Sequence, residues 1–246
     1  MNLKRLRSLA QKKFREETGL FIVEGTKSVL DLLHSELAVE TVYALPLWLE
    51  AHTDDLRGVT CESVSESELE RISCLTTPQQ VLAVAVRPET SVDDLDFSRL
   101  LLMLDGIRDP GNLGTMVRTA DWFGIRQVVC SPDCVELTNP KVVQATMGSF
   151  ARVKVVYTDL PELLASGRVT GNVYGTFMEG EPLKEAAFRA GDVLVIGSEG
   201  KGISPDVAAR VTRRVSIPAG VHSGERAESL NASIAAAIVM YEACGR

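Results

Sequence analysis

Six short apolar runs between residues 101 and 218 constrain the fold of this chain more than any other feature. In order they are LLMLD, QVVC, RVKVV, VYGTF, VLVIG and RRVSIP, and helical patterns lie between most of them. Short, mostly apolar runs are typical of strands that are buried on both faces of a sheet. Because the runs alternate with helices, the sequence predicts an α/β fold with a parallel sheet covered by helices on both faces.

A smaller α/β domain is predicted before this block. The strand-like runs LFIV, TVYAL and QVLAVAV alternate there with helical patterns. Ser65 followed by Glu68 has the spacing of a capping box and predicts the start of a helix. The stretch PETSVDDLDFSR is polar and acidic and interrupts the apolar periodicity, as a linker does. We therefore expect a small domain over residues 1–87, a linker over 88–99 and a second domain over 100–246.

Two helices of the second domain have informative ends. Asn139 and Pro140 are typical of an N-cap followed by a first helical turn. The last helix, expected over Glu228 to Ala243, is apolar nearly all round. Such a helix is buried within its own domain or against a partner.

The charge of the chain bears on its partners. The 246 residues contain 26 Lys and Arg against 33 Asp and Glu, a formal net charge of −7. Phosphate contacts dominate affinity for nucleic acids, so this total disfavours RNA binding, although a local basic patch matters more. The N-terminal stretch MNLKRLRSLAQKKFREE is such a patch, with Lys12, Lys13 and Arg15 as candidate RNA contacts. A solvated helix face is the alternative interpretation.

The cysteines and the hydropathy exclude several other classes of protein. Of the five cysteines, only Cys130 and Cys134 lie close together, so we expect reduced, mostly buried thiols and no metal site. No apolar run approaches the roughly 18 residues that a membrane span needs. The N-terminal stretch lacks the apolar core of a signal peptide. We expect a cytoplasmic protein without a membrane partner.

Three loops that follow predicted strands are candidate ligand sites, because parallel sheets bind ligands at the carboxyl ends of their strands. They are DGIRDPGNLGTMVRTA, GSEGKGIS and IPAGVHSGERAESLNAS, here the first, second and third loops. The second loop matches neither the Walker pattern nor the dinucleotide pattern G-x-G-x-x-G. Its Glu199 would repel a phosphate, so the loop suits a neutral or cationic ligand such as an adenine or a sulfonium. A tight turn whose glycines serve conformation alone is the alternative.

The first and third loops contain polar residues at helix starts. In the helix that follows Asn112, Arg118 falls on the polar face at about 100° per residue. A solvated arginine and a catalytic one both fit that position. Ser229 and Asn231 lie at the start of the last helix, where either residue can act as a cap or contact a ligand.

Taken together, DPGNLGTMVRTA, VIGSEGKGIS and IP…SLNAS resemble the three motifs of the SpoU/TrmH family of RNA 2′-O-ribose methyltransferases, in the family's order. The first block, in KKFREETGLFIVEGTKSVLDLL, is similar to the family's N-terminal substrate-binding domain. The resemblance implies a fold of the SPOUT type with a trefoil knot near the C-terminus, S-adenosylmethionine as methyl donor, and a homodimer.

The resemblance also implies roles for individual residues. The cofactor-binding positions would be Gly197, Ile217, Leu230 and, more weakly matched, Thr176. The catalytic positions would be Asn112, Arg118, Glu199, Ser229 and Asn231. The chain departs from the family in its longer stretch between Ile217 and Ser229, with Ala219 where methionine is common.

The function that follows from the resemblance is methylation of a ribose 2′-hydroxyl in RNA, ribosomal RNA being favoured over transfer RNA. In that reaction Arg118 would act as the base or as a charged clamp. A catalytically inactive RNA-binding protein of the same fold is the main alternative. A nucleotide-dependent oxidoreductase, and a methyltransferase whose substrate is not RNA, are further alternatives.

Overall fold

The computed structural model describes residues 3–220 and 227–245, so residues 221–226 of the third loop lie outside the described part. The chain divides into two compact units. Unit 1 comprises Met1–Glu89 and Glu136–Arg152, and unit 2 comprises Thr90–Val135 and Val153–Arg246.

The helices and strands alternate along most of the chain. In order they are α1 (Leu3–Ser8), α2 (Lys12–Thr18), β1 (Leu20–Glu24), α3 (Thr26–Leu33), β2 (Val39–Ala44), α4 (Pro46–Ala51), β3 (Cys61–Ser63), α5 (Glu66–Ile72), β4 (Val81–Val86), β5 (Leu101–Asp105), α6 (Pro110–Trp122), β6 (Gln127–Cys130), α7 (Pro140–Thr146), β7 (Lys154–Tyr157), α8 (Leu160–Ala165), β8 (Val173–Pro182), β9 (Val193–Gly197), α9 (Pro205–Ala208), β10 (Arg213–Ser216) and α10 (Ala232–Cys244). Short 3₁₀ turns occupy Val92–Asp94, Ser149–Ala151 and Leu183–Glu185.

Unit 1 is built on a four-stranded sheet in the order β1-β4-β2-β3. Strand β4 is antiparallel to β1 and β2, whereas β3 runs parallel to β2. Buried residues from three strands, among them Ile22, Tyr43 and Leu82, form its core with α1 and α5. Strand β3 was not expected from the sequence, because its three residues are all exposed and give no apolar signal.

The second segment of unit 1 contains α7 and packs against β1 and α3. The rings of Phe150 and Phe21 meet edge to face with centroids 6.0 Å apart. Arg152 forms an ion pair of 3.2 Å with Asp31. This segment falls within the domain expected over residues 100–246, so the units defined by contacts differ there from the domain limits, which stay a prediction.

Unit 2 is built on a six-stranded sheet in the order β10-β8-β9-β5-β6-β7, with parallel pairing throughout. The predicted parallel α/β fold is therefore confirmed. The register pairs Asp105 at the end of β5 with Gly197 at the end of β9, which places the first and second loops side by side. The knot implied by the resemblance stays a prediction.

Most of the expected linker is part of unit 2. The hydroxyl of Thr90 donates to the carbonyl of Val155 at 2.8 Å. The buried side chain of Gln127 accepts from Asp96 N at 2.6 Å and donates to Asp96 O at 3.1 Å. The segment from Thr90 onward is therefore bonded to the sheet that follows it.

The predicted caps are confirmed, and one predicted helix start is wrong. A carboxylate oxygen of Glu68 accepts from Ser65 N at 2.8 Å, and Asn139 Oδ1 accepts from Lys141 N at 2.9 Å. The last helix begins at Ala232 rather than at Glu228, because Asn231 is its N-cap. Within residues 3–220 and 227–245, no helix has both the length and the hydropathy of a membrane span.

Candidate active site

A cleft of about 570 Å³ opens in unit 2 at the carboxyl ends of β5 and β9. It is lined by residues 105–109 and Asn112 of the first loop, by 198–202 and 204–205 after β9, and by Asp133 and Ala232. This is the edge of a parallel sheet where ligands bind. Residues from all three candidate loops line the cleft.

The second loop forms a tight turn that requires glycine at its base. Ser198 and Gly202 exchange backbone hydrogen bonds of 3.1 and 2.8 Å. A Cβ atom added to Gly197 would lie 2.1 Å from the carbonyl carbon of Gly202, so no side chain fits there. Glu199 lies exposed within the turn. The glycines thus serve conformation, and the same turn presents the carboxylate of Glu199 to the cleft.

Asn231 joins the three loops through its side-chain amide. Its Nδ2 donates to Asn112 Oδ1 at 3.0 Å and to a carboxylate oxygen of Glu199 at 3.4 Å. Its Oδ1 accepts from Ser233 N at 2.9 Å and from the Ser233 hydroxyl at 2.6 Å. Because donors face the oxygen and acceptors face the nitrogen, the orientation of the amide is fixed. We call Asn112, Glu199 and Asn231 the cleft cluster.

The start of α6 holds Asn112 in place. Asp109 is the N-cap, and its Oδ1 accepts from Asn112 N at 2.8 Å, while Pro110 occupies the first turn. Asp105 accepts from Ser204 N at 2.6 Å, which ties the first loop to the end of the second. Asp105 was not among the site residues predicted from the sequence. It could have been found as a carboxylate at the end of an apolar strand.

A second polar network supports the first loop from the turn after β6. Gly106 N donates to the hydroxyl of Ser131 at 2.8 Å, and Ile107 N donates to Cys134 Sγ at 3.2 Å. A hydrogen bond with Cys130 lowers the pKa of the Cys134 thiol to about 7. All five cysteines are free thiols, and the described residues contain no group of three potential metal ligands.

Two predicted catalytic residues lie apart from the cleft cluster. Arg118 is exposed on α6, does not line the cleft, and forms no hydrogen bond or ion pair with any described residue. Ser229 is also exposed, and no contact joins it to the cluster within the described part of the chain. The structure therefore brings together three of the five predicted catalytic residues.

Comparison with known proteins agrees with this geometry. Residues 99–241 match the SpoU rRNA Methylase family, and residues 1–83 match the MRM3-like substrate binding domain. The chain belongs to the SpoU family. The resemblance of its three motifs is thereby confirmed.

Relatives of this SpoU protein cover nearly its whole length. A 23S rRNA (guanosine(2553)-2′-O)-methyltransferase of Bacillus subtilis is 32% identical over 97% of this chain and 94% of its own. A TrmH-family protein from Porphyromonas gingivalis is 40% identical, with a TM-score of 0.84 and coverage of 98% and 96%. An AdoMet-bound rRNA methyltransferase from Sinorhizobium meliloti is 29% identical, with a TM-score of 0.87 and coverage of 98% and 93%.

Two of the residues expected to bind the SpoU cofactor lie at the carboxyl ends of strands. Gly197 ends β9, and Ile217 follows β10 and is half-buried. Thr176 lies in β8, and its hydroxyl donates to Val195 O at 2.9 Å, so that proton is already used within the sheet. Leu230 is 47% exposed and directly precedes Asn231. A glycine at the base of the turn and an exposed leucine suit a neutral, flat ligand group.

The predicted RNA contacts of the N-terminal helices divide into two groups. Lys12 and Lys13 are exposed and pair with Glu16 and Glu17 at 3.6 and 3.8 Å. Arg15 is only 1% exposed, and its guanidinium donates to Leu9 O and to the Glu136 carboxylate. A side chain buried in this way is not accessible to RNA, so the structure contradicts that role for Arg15.

Proposed function

We propose that this protein transfers a methyl group from S-adenosylmethionine to a ribose 2′-hydroxyl of RNA, with ribosomal RNA as the substrate. The observation that carries the proposal is the cleft cluster, in which one amide joins residues from the three family motifs at the edge of the sheet. The named relatives support the same reaction, because the curated ones include methyltransferases of 23S rRNA.

S-adenosylmethionine fits the residues at the ends of β9 and β10 and before α10. Gly197, Ile217 and Leu230 would hold it, with the methyl group of Thr176 as a further contact. When bound, the cofactor supplies a methyl group on a cationic sulfonium. The exposed carboxylate of Glu199 is compatible with that charge, which answers why an acidic residue occurs in a glycine-rich turn.

Asn112 and Glu199 are placed to orient the ribose. Their oxygens accept hydrogen bonds from the fixed amide of Asn231, and each retains a further lone pair for a hydroxyl donor. Holding two reacting groups in line can contribute roughly 7–11 kcal/mol to lowering the barrier. Positioning is therefore the main contribution of the cleft cluster.

Arg118 acts in this proposal as a charged clamp rather than as the base. An arginine guanidinium cannot be deprotonated in proteins, and it binds phosphate or a developing alkoxide well. Its exposed position on α6 leaves the guanidinium available for an anionic ligand. A flat rate–pH profile that Arg118→Lys lowers without changing its shape supports the clamp. A pH dependence of the rate that is present in the wild type and absent in Arg118→Lys supports Arg118 as the base.

We further propose a cytoplasmic homodimer. Trp122, Ile234 and Tyr241 are 84%, 50% and 59% exposed, and all three lie on α6 and α10, which pack against each other. A cluster of large exposed apolar side chains is typical of a protein–protein interface. Sedimentation equilibrium of the wild type and of Trp122→Glu tests the dimer, because the glutamate would place a charge in the interface.

The proposed reaction is tested by transfer of labelled methyl from S-adenosylmethionine to unmodified ribosomal and transfer RNAs, followed by alkaline hydrolysis. A 2′-O-methyl group blocks cleavage at its own linkage, so label in an alkali-resistant dinucleotide is the expected result with ribosomal RNA. Label in a mononucleotide would mean base methylation. Cofactor and RNA binding without transfer, also with assembled ribosomal subunits, would favour the inactive binding protein. Arg118→Ala is the control for background transfer.

A further inference from the structure

We propose that Arg108 binds an RNA phosphate at the rim of the cleft, and that the Asp133 carboxylate occupies the place of that phosphate until RNA binds. The inference rests on the proposed function and assigns the residue that holds the RNA backbone next to the target ribose. Arg108 and Asp133 belong to neither the cofactor site nor the cleft cluster. Lys201 is the second cation of the same rim.

The two residues meet across two loops. Arg108 Nη2 lies 2.8 Å from Asp133 Oδ2, and the side chains are 70% and 51% exposed. Arg108 follows β5, and Asp133 follows the neighbouring strand β6. Both line the cleft. An ion pair this exposed contributes little to stability, so it is easily exchanged for another anion.

Asp133 is anchored, whereas Arg108 has Asp133 as its one side-chain partner among the described residues. The Ser131 hydroxyl donates to Asp133 Oδ1 at 2.7 Å and accepts from Gly106 N at 2.8 Å. The hydrogen bond from Ser131, with the nearby Arg108 guanidinium, lowers the pKa of the Asp133 carboxyl, which is therefore ionised at neutral pH. Oδ2 is left to face Arg108. A fixed carboxylate oxygen in that position imitates one oxygen of a phosphate.

The cleft has two cations at its rim that an anionic ligand can reach. Its other carboxylates each accept a hydrogen bond from within the chain: Asp105 from Ser204 N, Asp109 from Asn112 N and Glu199 from the Asn231 amide. The Lys201 ammonium is exposed and has no partner among the described residues. Once RNA displaces Asp133, Arg108 and Lys201 are the cations that the rim offers to a phosphate, beside carboxylates that internal hydrogen bonds hold in place.

Arginine is suited to this exchange for a chemical reason. Its planar guanidinium binds phosphate through two parallel hydrogen bonds, which one carboxylate oxygen at 2.8 Å does not use fully. Each phosphate contact also releases a counterion and adds about 0.7–0.9 to the slope of log affinity against log salt. Replacing Arg108 should therefore change both the affinity for RNA and its salt dependence.

The test depends on opposite effects of the two partners. In Arg108→Ala the phosphate contact is lost, and we expect KM for unmodified 23S rRNA to rise about tenfold, with a salt slope lower by about 1. In Asp133→Asn the competing charge is removed while Ser131 keeps its acceptor, and we expect KM to fall about threefold. We expect kcat to change less than threefold in both, and Arg108→Lys to recover part of the affinity.

If the ion pair were purely structural, KM would change in the same direction in both variants, because either substitution breaks the pair. Equal increases in KM, or no change in either, would therefore overturn the proposal. Arg168→Ala is the matched control, since Arg168 forms a similar exposed pair with Asp93 before the amino end of β8. Filter binding of the same RNA is measured in parallel. If the wild type transfers no methyl group, opposite shifts in RNA affinity still support the Arg108 site, while the proposed function fails.

Discussion

Two polar contacts of this protein join residues that are almost equally far apart in the sequence, but one contact is buried and the other is exposed. In unit 1, Arg15 and Glu136 are 121 positions apart, and their side chains are 1% and 12% exposed. In unit 2, Asn112 and Asn231 are 119 positions apart, and their contact is open to solvent. Because the Arg15–Glu136 pair is buried, the stability of the fold depends on it. Because the Asn112–Asn231 contact is exposed, its residues can also bind a ligand.

The comparison shows that residue type is a poor guide to role. An arginine in a basic segment has the chemistry of an RNA contact, yet Arg15 is enclosed with a carboxylate partner. Asparagine is neutral and common at helix starts, yet Asn231 connects all three motifs. Burial decided the role in each case.

The largest effect is expected from breaking the buried pair. Arg15→Met would leave the Glu136 carboxylate enclosed without its cation, which costs about 3–5 kcal/mol. Unfolding in urea, followed by tryptophan fluorescence, measures this loss. Trp48 of unit 1 is 3% exposed and Trp122 of unit 2 is 84% exposed, so a shift in emission reports chiefly on unit 1.

The matched control is the double variant Arg15→Met with Glu136→Gln. We expect it to recover part of the stability, because no unpaired charge then remains in the enclosed site. An Arg15→Met protein as stable as the wild type but weaker in RNA binding would contradict the comparison and restore Arg15 as an RNA contact.

A smaller effect, on rate rather than stability, is expected from the cleft cluster. Asn231→Ser keeps an N-cap for α10 but removes the amide that reaches Asn112 and Glu199. We expect kcat to fall about 10- to 100-fold with Tm nearly unchanged. Asn231→Ala should lose the same rate and, in addition, about 1 kcal/mol of stability through the missing cap. Equal rates in the wild type and the serine variant would show that the bridge has no catalytic role.

The smallest effect is expected at Glu24, a half-buried carboxyl of unit 1. It accepts from the Ser73 hydroxyl at 2.6 Å and from Cys74 N at 2.7 Å, yet burial raises its pKa above the ordinary 4.5. A raised folded-state pKa contributes stability that is full below the ordinary value and is lost as pH rises through the folded value. Glu24→Gln should therefore raise Tm slightly at pH 7, by less than about 3 °C, and not at pH 4. Thermal unfolding at both values checks the sign, and a gain confined to pH 4 would refute it.

Much of unit 2 could be predicted because its signals are local. Each of its buried strands is a run of apolar residues, and the cap of α7 in unit 1, Asn139, likewise depends on a partner two positions away. Alternation of strands with helices then requires a parallel sheet, and the carboxyl ends of its strands meet at one edge. The three candidate loops could therefore be assigned to that edge from the sequence.

The errors have physical causes that are equally specific. Strand β3 pairs with β2 through backbone groups, which leave no mark on its exposed side chains. Residues 136–152 belong to unit 1 by their packing, although they follow a strand of unit 2 in the chain. The start expected for α10 was four residues early, because the apolar pattern has no sharp beginning and Ser229 and Asn231 were both possible caps.

By itself the sequence determined the parallel fold, the glycine turn at Gly197 and the family, since these depend on neighbours within a few residues or on the order of motifs. The tertiary structure alone decided that Arg15 is enclosed, that Asn231 bridges Asn112 and Glu199, and that Arg108 faces Asp133. The reason is that burial and electrostatic pairing depend on segments that are distant along the chain. No local pattern records which of those segments will meet.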